Sequence, residues 1–265
     1  MTALSLAEAA VAVLACADPA GKVQATLRTA ALWQSGAIDR VGSAAPPDHP
    51  GRPAQPEILP PNKMRRRGTG GVAGRVALLH ALAHIEFNAI DLAWDIVARF
   101  TAHDLPKGFY DDWVLVAQQE AEHFQALEAL LLVLGSGYGA LPAHGGLWQA
   151  ADKTATDLRA RLAIVPMTLE ARALDTAPVS IAKLDDAATI AVLSKIVAEE
   201  VDHVAAGVRW FDFLCARDGC DPATTFQALV RAHFPKGLKR PFNTEARGRA
   251  DMPAGYYEPL AAAEQ

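Results

Sequence analysis

The sequence predicts an all-α fold: a four-helix bundle with a helical extension before it and an irregular tail after it. Three observations carry this. Four long segments place apolar side chains at helical spacing. No segment shows the period-two alternation of a half-buried strand. The connections between the long segments run short, long and short, which suits four helices packed side by side. The expected divisions are residues 1–62 (short helices and a Pro-rich wrapping segment), 63–216 (the bundle) and 217–265 (a C-terminal extension).

With 265 residues, 51% of them apolar, the chain has enough material for a sizeable core. A net charge of −5 gives no whole-chain field toward nucleic acid or membrane. The three cysteines, Cys16, Cys215 and Cys220, form no CxxC pair and leave an odd count, which fits a reducing compartment. Leu6 to Cys16 is apolar like a signal sequence, but Glu8 interrupts it and no Lys or Arg precedes it, so it is expected to be a helix. No run looks long and clean enough to span a bilayer. The expectation is a soluble, cytoplasmic protein.

In chain order, residues 5–17 and 22–34 suit two short helices parted at Asp18-Pro19. Residues 41–62 carry seven prolines, which rule out helix there and predict an extended segment on the surface. Lys63 and Arg65 to Arg67 follow, then glycines 68, 70 and 71. This basic stretch is either a solvated loop or, with Arg75, an anion site at a helix N-terminus.

The first long helix, Arg75 to Phe100, has the stripe Leu79, Leu82, Ala83, Ile90, Ala93, Val97 and Phe100, with Glu86 in its middle. An unpaired carboxylate in that position costs far more than packing returns. After the short turn His103 to Pro106, a second helix at 108–134 should return antiparallel, with Glu120 and His123 in its apolar stripe. Glycines 135, 137, 139, 145 and 146 mark a linker able to run the length of a bundle. A third helix, about 148–175, meets Pro166 and should kink or break there, with Glu170 on its inner face beside Ala163, Met167, Ala173 and Leu174. Thr176 to Leu184, containing Pro178, should be a short connection, with Asp185 capping a fourth helix at 186–216 that carries Glu200 and His203. Beyond it the tail offers a short helix near Phe226 to His233 and then an irregular run bearing Lys236, Lys239, Arg240, Arg247 and Arg249.

The chemistry lies in the acids of the apolar stripes. Glu86 and Glu170 each precede a helix with Glu-x-x-His, namely Glu120 with His123 and Glu200 with His203. Residues three apart share a helix face, so each Glu and His can bind at one point. Four carboxylates and two neutral imidazoles balance two divalent cations, the ligand set of ferritin-like dinuclear centres. The halves also repeat: Glu86-Phe-Asn-Ala-Ile-Asp91 matches Glu170-Ala-Arg-Ala-Leu-Asp175. One Glu-x-x-His is weak evidence, whereas two in apolar stripes, each downstream of a stripe Glu, are strong. The competing reading is a metal-free buried polar network.

The six side chains are therefore the candidate metal ligands and the candidate catalytic residues. Their oxygen-rich set with two imidazoles suits iron first and manganese next, and contains nothing that zinc rejects. Asp91 and Asp175 lie about 140° round from their glutamates. They are either acceptors orienting a ligand histidine on a neighbouring helix or surface aspartates. His84, about 200° from Glu86, should point away from it into a hydrogen-bonded or surface setting. For Tyr110, Tyr138, Tyr256 and Tyr257 the alternatives are a redox-active tyrosine among them or packing, and packing is expected.

The segments HALAHIEFNAIDLAWD, QQEAEHF, RLAIVPMTLEARALD and EEVDHVAAGVRWF resemble a ferritin-like family catalogued as a domain of unknown function. PGRPAQPEILPP, RRRG and PFNTEARGRA are similar to its flanking segments, so the resemblance spans nearly the whole chain. It implies a ferritin-like bundle with a dinuclear site at Glu86, Glu120, His123, Glu170, Glu200 and His203, all intact here. More distantly, the family is similar to di-iron hydroxylases, one of which acts on a modified tRNA base.

Three functional readings follow. In the first, a di-iron oxidoreductase uses dioxygen or peroxide to oxidise an organic small molecule, with electrons from a separate donor. In the second, the protein handles iron by ferroxidation, storage or peroxide detoxification; the long extensions argue against a bare storage cage. In the third, the metals are structural or absent. A tRNA substrate has only local basic patches, at 63–67 and 236–249, in its favour.

Overall fold

The computed structural model describes residues 4–60, 63–64 and 70–262. Arg65 to Arg67 and Gly68 of the basic stretch lie outside the described residues. The fold is all-α: among the described residues there is no strand, only two isolated bridges, Ile58 with Ala143 and Leu238 with Ala261. The chain divides into two compact units, Met1–Asp152 and Lys153–Gln265.

In the first unit, α1 (Leu6–Ala15) opens on a capping box: Glu8 N–H donates to Ser5 Oγ, and the Glu8 carboxylate accepts from Ser5 N–H at 2.8 Å. Asp18 caps α2 (Pro19–Gln34), accepting from Gly21 N–H at 2.6 Å. The helix starts three residues earlier than expected because Pro19 takes the first position, where its missing N–H costs nothing.

The Pro-rich stretch is non-helical, as its composition predicts. It and the residues just before it also supply hydrogen-bond partners that α1 lacks at its own ends. Leu6 N–H donates to Arg40 O at 3.0 Å, Ala7 N–H to Val41 O at 2.9 Å, and Gly51 N–H to Leu14 O at 2.7 Å. Only glycine fits at 51, since a Cβ there would sit 2.3 Å from Ala15 O.

Helix α3 (Gly71–Arg99) turns at His103 to Pro106 into α4 (Lys107–Val133), which packs back along it and brings Phe124 against Phe87. Every residue of α3 from Glu86 to Ala98 is buried, so this helix has no solvent face along its middle. By length and composition α3 could cross a membrane, contrary to the expectation that no run could. However, 72% of its apolar window is buried in the protein, which makes it a core helix. Helix α5 (Gly146–Lys153) ends at the division between the units.

The expected third helix is in pieces. After α5 the chain restarts at α6 (Leu158–Ile164), where Asp157 accepts from Ala160 N–H at 3.1 Å. The kink expected at Pro166 is a π-helical turn, Val165–Glu170, leading into α7 (Ala171–Ile181). Pro166 has no N–H to give its i−4 carbonyl, and the wider turn absorbs the mismatch. Helix α7 runs through Pro178 instead of ending before it. The carbonyl that Pro178 leaves unserved, Leu174 O, is taken by the Asn243 side-chain amide at 3.1 Å.

Helix α8 (Ala187–Asp218) is capped by Asp186, not Asp185: its carboxylate accepts from Thr189 N–H at 2.9 Å. The tail is more regular than expected. It forms α9 (Pro222–His233), α10 (Thr244–Arg249), α11 (Ala254–Tyr257) and a 3-10 turn, Glu258–Leu260. The last three are too short for apolar periodicity to reveal. The π turn packs on α8 at Gly207, where an added Cβ would lie 2.7 Å from Pro166 Cβ and 2.8 Å from its Cγ. A Gly→Ala change inside a helix ordinarily helps stability by up to ~1 kcal/mol. Here Gly207→Ala should instead cost about 1–3 kcal/mol through overpacking. Urea denaturation tests the sign; a neutral or stabilised variant would contradict the packing described.

Candidate metal centre

In the first unit, α3 and α4 bring three predicted ligands together. Glu86, Glu120 and His123 are all buried. His123 Nδ1 lies 3.3 Å from Glu86 Oε2 and 3.6 Å from Glu120 Oε2. One ligand atom from each of the three lies within 4.8 Å of the others. The spacing explains it: Glu120 and His123 are three apart on α4, and the apolar stripe of α3 aims Glu86 at the same point.

The electrostatics of the trio call for positive charge. Two carboxylates carry −2, and one imidazole answers with at most +1. Burial disfavours a charged His123, but hydrogen bonds and charge from Glu120 and Glu86 overcome that and raise its pKa to about 10. A divalent cation would serve the same need better, with the imidazole neutral and ligating. Two carboxylates and an imidazole in a dry pocket are donors that fit such an ion, so the group could hold metal.

In the second unit, α8 carries Glu200 and His203, both buried, with His203 Nδ1 3.6 Å from Glu200 Oε1. Glu200 Oε2 meets no hydrogen-bond partner among the described residues. A buried carboxylate oxygen without a donor is costly, and a cation would relieve it. Glu170 ends the π turn. As a residue it is part-exposed, whereas the sequence suggested a buried one, although its Oε2 is shielded from solvent.

Asp91 and Asp175 behave in a way that neither expectation allowed for. Both are buried, so they are not surface aspartates, and their strongest partners are cations, not a histidine. Asp91 forms an ion pair with Lys22 of α2; both side chains are fully buried, and Lys22 Nζ also donates to Gly51 O at 3.0 Å. Burial pushes the Asp91 carboxyl up, to about 6, against the pull of Lys22. The same burial pushes the Lys22 ammonium down, against the pull of Asp91.

In the second unit Arg247 of α10 grips Asp175, with Nη2 to Oδ2 at 2.7 Å and Nε to Oδ1 at 2.9 Å, while Asn243 N–H adds a bond at 2.9 Å. The repeat therefore extends to its aspartates, each neutralised by a cation from outside the long helices. The sequence held one overlooked clue: Lys22 stands in the buried stripe of α2 with Thr26, Thr29, Ala30 and Trp33. Arg247 showed none.

His84 is buried and hydrogen-bonded, one of the two settings its spacing suggests. Its Nδ1 meets Tyr138 Oη at 2.9 Å and its Nε2 lies 3.2 Å from His144 O. His80 Nε2 accepts from Gly139 N–H at 3.0 Å. Tyr138 packs on Phe87 and Phe124, consistent with the packing role expected of it.

Comparison with known proteins agrees with the sequence motifs at family level. The family described as "Protein of unknown function (DUF455)" matches residues 15–258. A Haemophilus influenzae protein, described as an uncharacterized protein, is 38% identical over 206 residues, covering 75% of this chain and 72% of its own. No solved structure matches the chain.

The Lys22–Asp91 pair gives a prediction. Removing one partner strands the other, so Asp91→Leu and Lys22→Met should each lose about 3–5 kcal/mol in urea denaturation. The double variant K22M/D91L should be more stable than either single variant, because no stranded charge remains. Strictly additive losses would show that the two groups are not coupled.

Proposed function

The chain belongs to the DUF455 family, and we propose that it is a ferritin-like dinuclear metalloprotein whose four-helix core binds two ions, iron by preference. The ligands in this reading are Glu86, Glu120, His123, Glu170, Glu200 and His203. The single observation that carries it is the buried trio Glu86, Glu120 and His123, which brings two carboxylates and an imidazole within 4.8 Å of one another. The second unit supports it with Glu200 and His203 on the corresponding face of α8 and an unserved Glu200 oxygen. The sequence repeat supplies the rest, since equivalent residues in two halves suit two equivalent ions.

A redox-active pair of ions would supply the electrons that reduce dioxygen or peroxide, and the reaction we propose is oxidation of an organic small molecule. The protein's own part is to hold the donors. Glu120 and His123 sit one helical turn apart on α4, fixed against α3 by the Phe87–Phe124 contact. Burial excludes water from the donors and strengthens their hold on a cation. Asp91 and Asp175, neutralised by Lys22 and Arg247, take no part in metal binding and instead fix the backbone one turn beyond Glu86 and Glu170.

Metal-free protein loaded anaerobically with ferrous iron should take up about two ions per chain. Glu120→Ala and His123→Ala should each lose at least one of those ions while the helical circular dichroism is kept. Exposure of the loaded protein to air should produce an optical change that metal-free protein does not show. Failure of iron, manganese and zinc alike to bind near stoichiometrically would overturn the proposal. Turnover of ferrous iron in large excess would favour iron handling over an organic substrate.

A further inference from the structure

Helix α8 ends in a tight left-handed cap. Gly219 has φ 68°, and the N–H of Cys220 returns to Cys215 O at 2.9 Å. This is the Schellman closure, in which the side chains of those two positions frequently meet. Most helices place apolar residues there; this one has two thiols. From standard bond lengths and that hydrogen bond, the two Cα atoms are no more than about 6.8 Å apart, within the range a disulfide spans.

Their surroundings differ. Cys215 is fully buried and Cys220 is part-exposed. Arg159 Nη1 donates to Cys220 Sγ at 3.3 Å, while the same guanidinium pairs with Asp218 at 3.4 Å. The Thr225 hydroxyl bonds the Cys220 sulfur and holds its thiol below the usual range, with Cys215 and Arg159 adding to the effect. Burial pushes the Cys215 thiol up to about 12. One sulfur is thus accessible and ready to attack, and the other is a protonated neighbour within reach.

We propose that Cys220 and Cys215 form a peroxide-responsive dithiol, with Cys220 as the attacking sulfur and Cys215 as the resolving one. The Cys220 thiolate attacks one oxygen of a hydroperoxide; the S–O bond forms, the O–O bond breaks, and the departing oxygen leaves as water or alcohol after taking a proton. Cys220 is oxidised by two electrons to the sulfenic acid and the peroxide is reduced. The Cys215 sulfur then attacks Cys220; the S–S bond forms, the S–O bond breaks, and hydroxide leaves as water with the Cys215 proton. The product is a disulfide locking the end of α8 to the start of α9, reversible by thiol reductants. This inference does not depend on the metal reading.

The test uses the full chain with a chelator present, exposed to hydrogen peroxide, alkylated and digested with trypsin. Cleavage after Arg217 parts the two cysteines, so oxidation should link peptides 210–217 and 218–231, and dithiothreitol should release them. Cys220 should be lost at least ~10-fold faster than Cys16, a part-exposed thiol of the first unit that serves as internal control. C215S should stop at a sulfenic acid on Cys220 that dimedone traps, and C220S should leave Cys215 reduced over the same exposure. Absence of the linked peptides in the wild-type chain, or oxidation of Cys220 no faster than that of Cys16, overturns the proposal. That peptide map decides the matter even if a variant fails to fold.

Discussion

A carboxylate withdrawn from water must be met by positive charge or by donors, and much of this fold is arranged to obey that rule. The buried middle of α3 alone carries Glu86, Asp91 and Asp95. Asp95 is held by Arg99 one turn along the same helix at 2.7 Å, and Asp91 by Lys22 from α2. Glu86 meets His123, an imidazole that must also answer Glu120. Asp91 and Asp95 each meet a Lys or Arg, whereas Glu86 meets an imidazole that also lies beside a second buried carboxylate, a donor set that could hold a metal ion.

The extensions around the long helices acquire a purpose in this light. Helix α2 and α10 each deliver one cation into the interior of its own unit, to Asp91 and Asp175 respectively. The non-helical run from Arg40 to Gly51, lacking helical hydrogen bonds of its own, serves both ends of α1, and its Gly51 carbonyl receives Lys22. Arg99 likewise reaches Pro47 O at 3.0 Å. In the second unit Asn243 serves both the carbonyl freed by Pro178 and, through its backbone, Asp175. The segments that looked peripheral therefore supply charge and hydrogen bonds to the core helices.

What the sequence made legible was whatever depends on spacing along one helix. The stripes, the pairing of Glu120 with His123 and of Glu200 with His203, and the all-helical class all follow from a period of 3.6 residues. What it concealed depends on distant pieces of chain choosing one another. Asp91 looked like a histidine's acceptor or a surface group because nothing beside it announces Lys22, 69 positions earlier. Pro178 looked like a helix end because the amide that rescues Leu174 O comes from Asn243, 69 positions later. The π turn was anticipated as a kink, since Pro166 forces some departure from regular helix but does not say which. Glu170, placed on a buried face by that regular geometry, is consequently more open than its stripe implied.

The sealed pairing of Lys22 with Asp91 also bears on how the sequence can drift over evolutionary time. Either residue exchanged alone leaves its mate charged and enclosed, so a lineage would cross a valley of poorly folded intermediates before reaching a neutral replacement. Positions far apart in the gene are thereby bound to a shared fate. The short N-terminal helix that carries the lysine should prove as slow to diverge as the long one it serves.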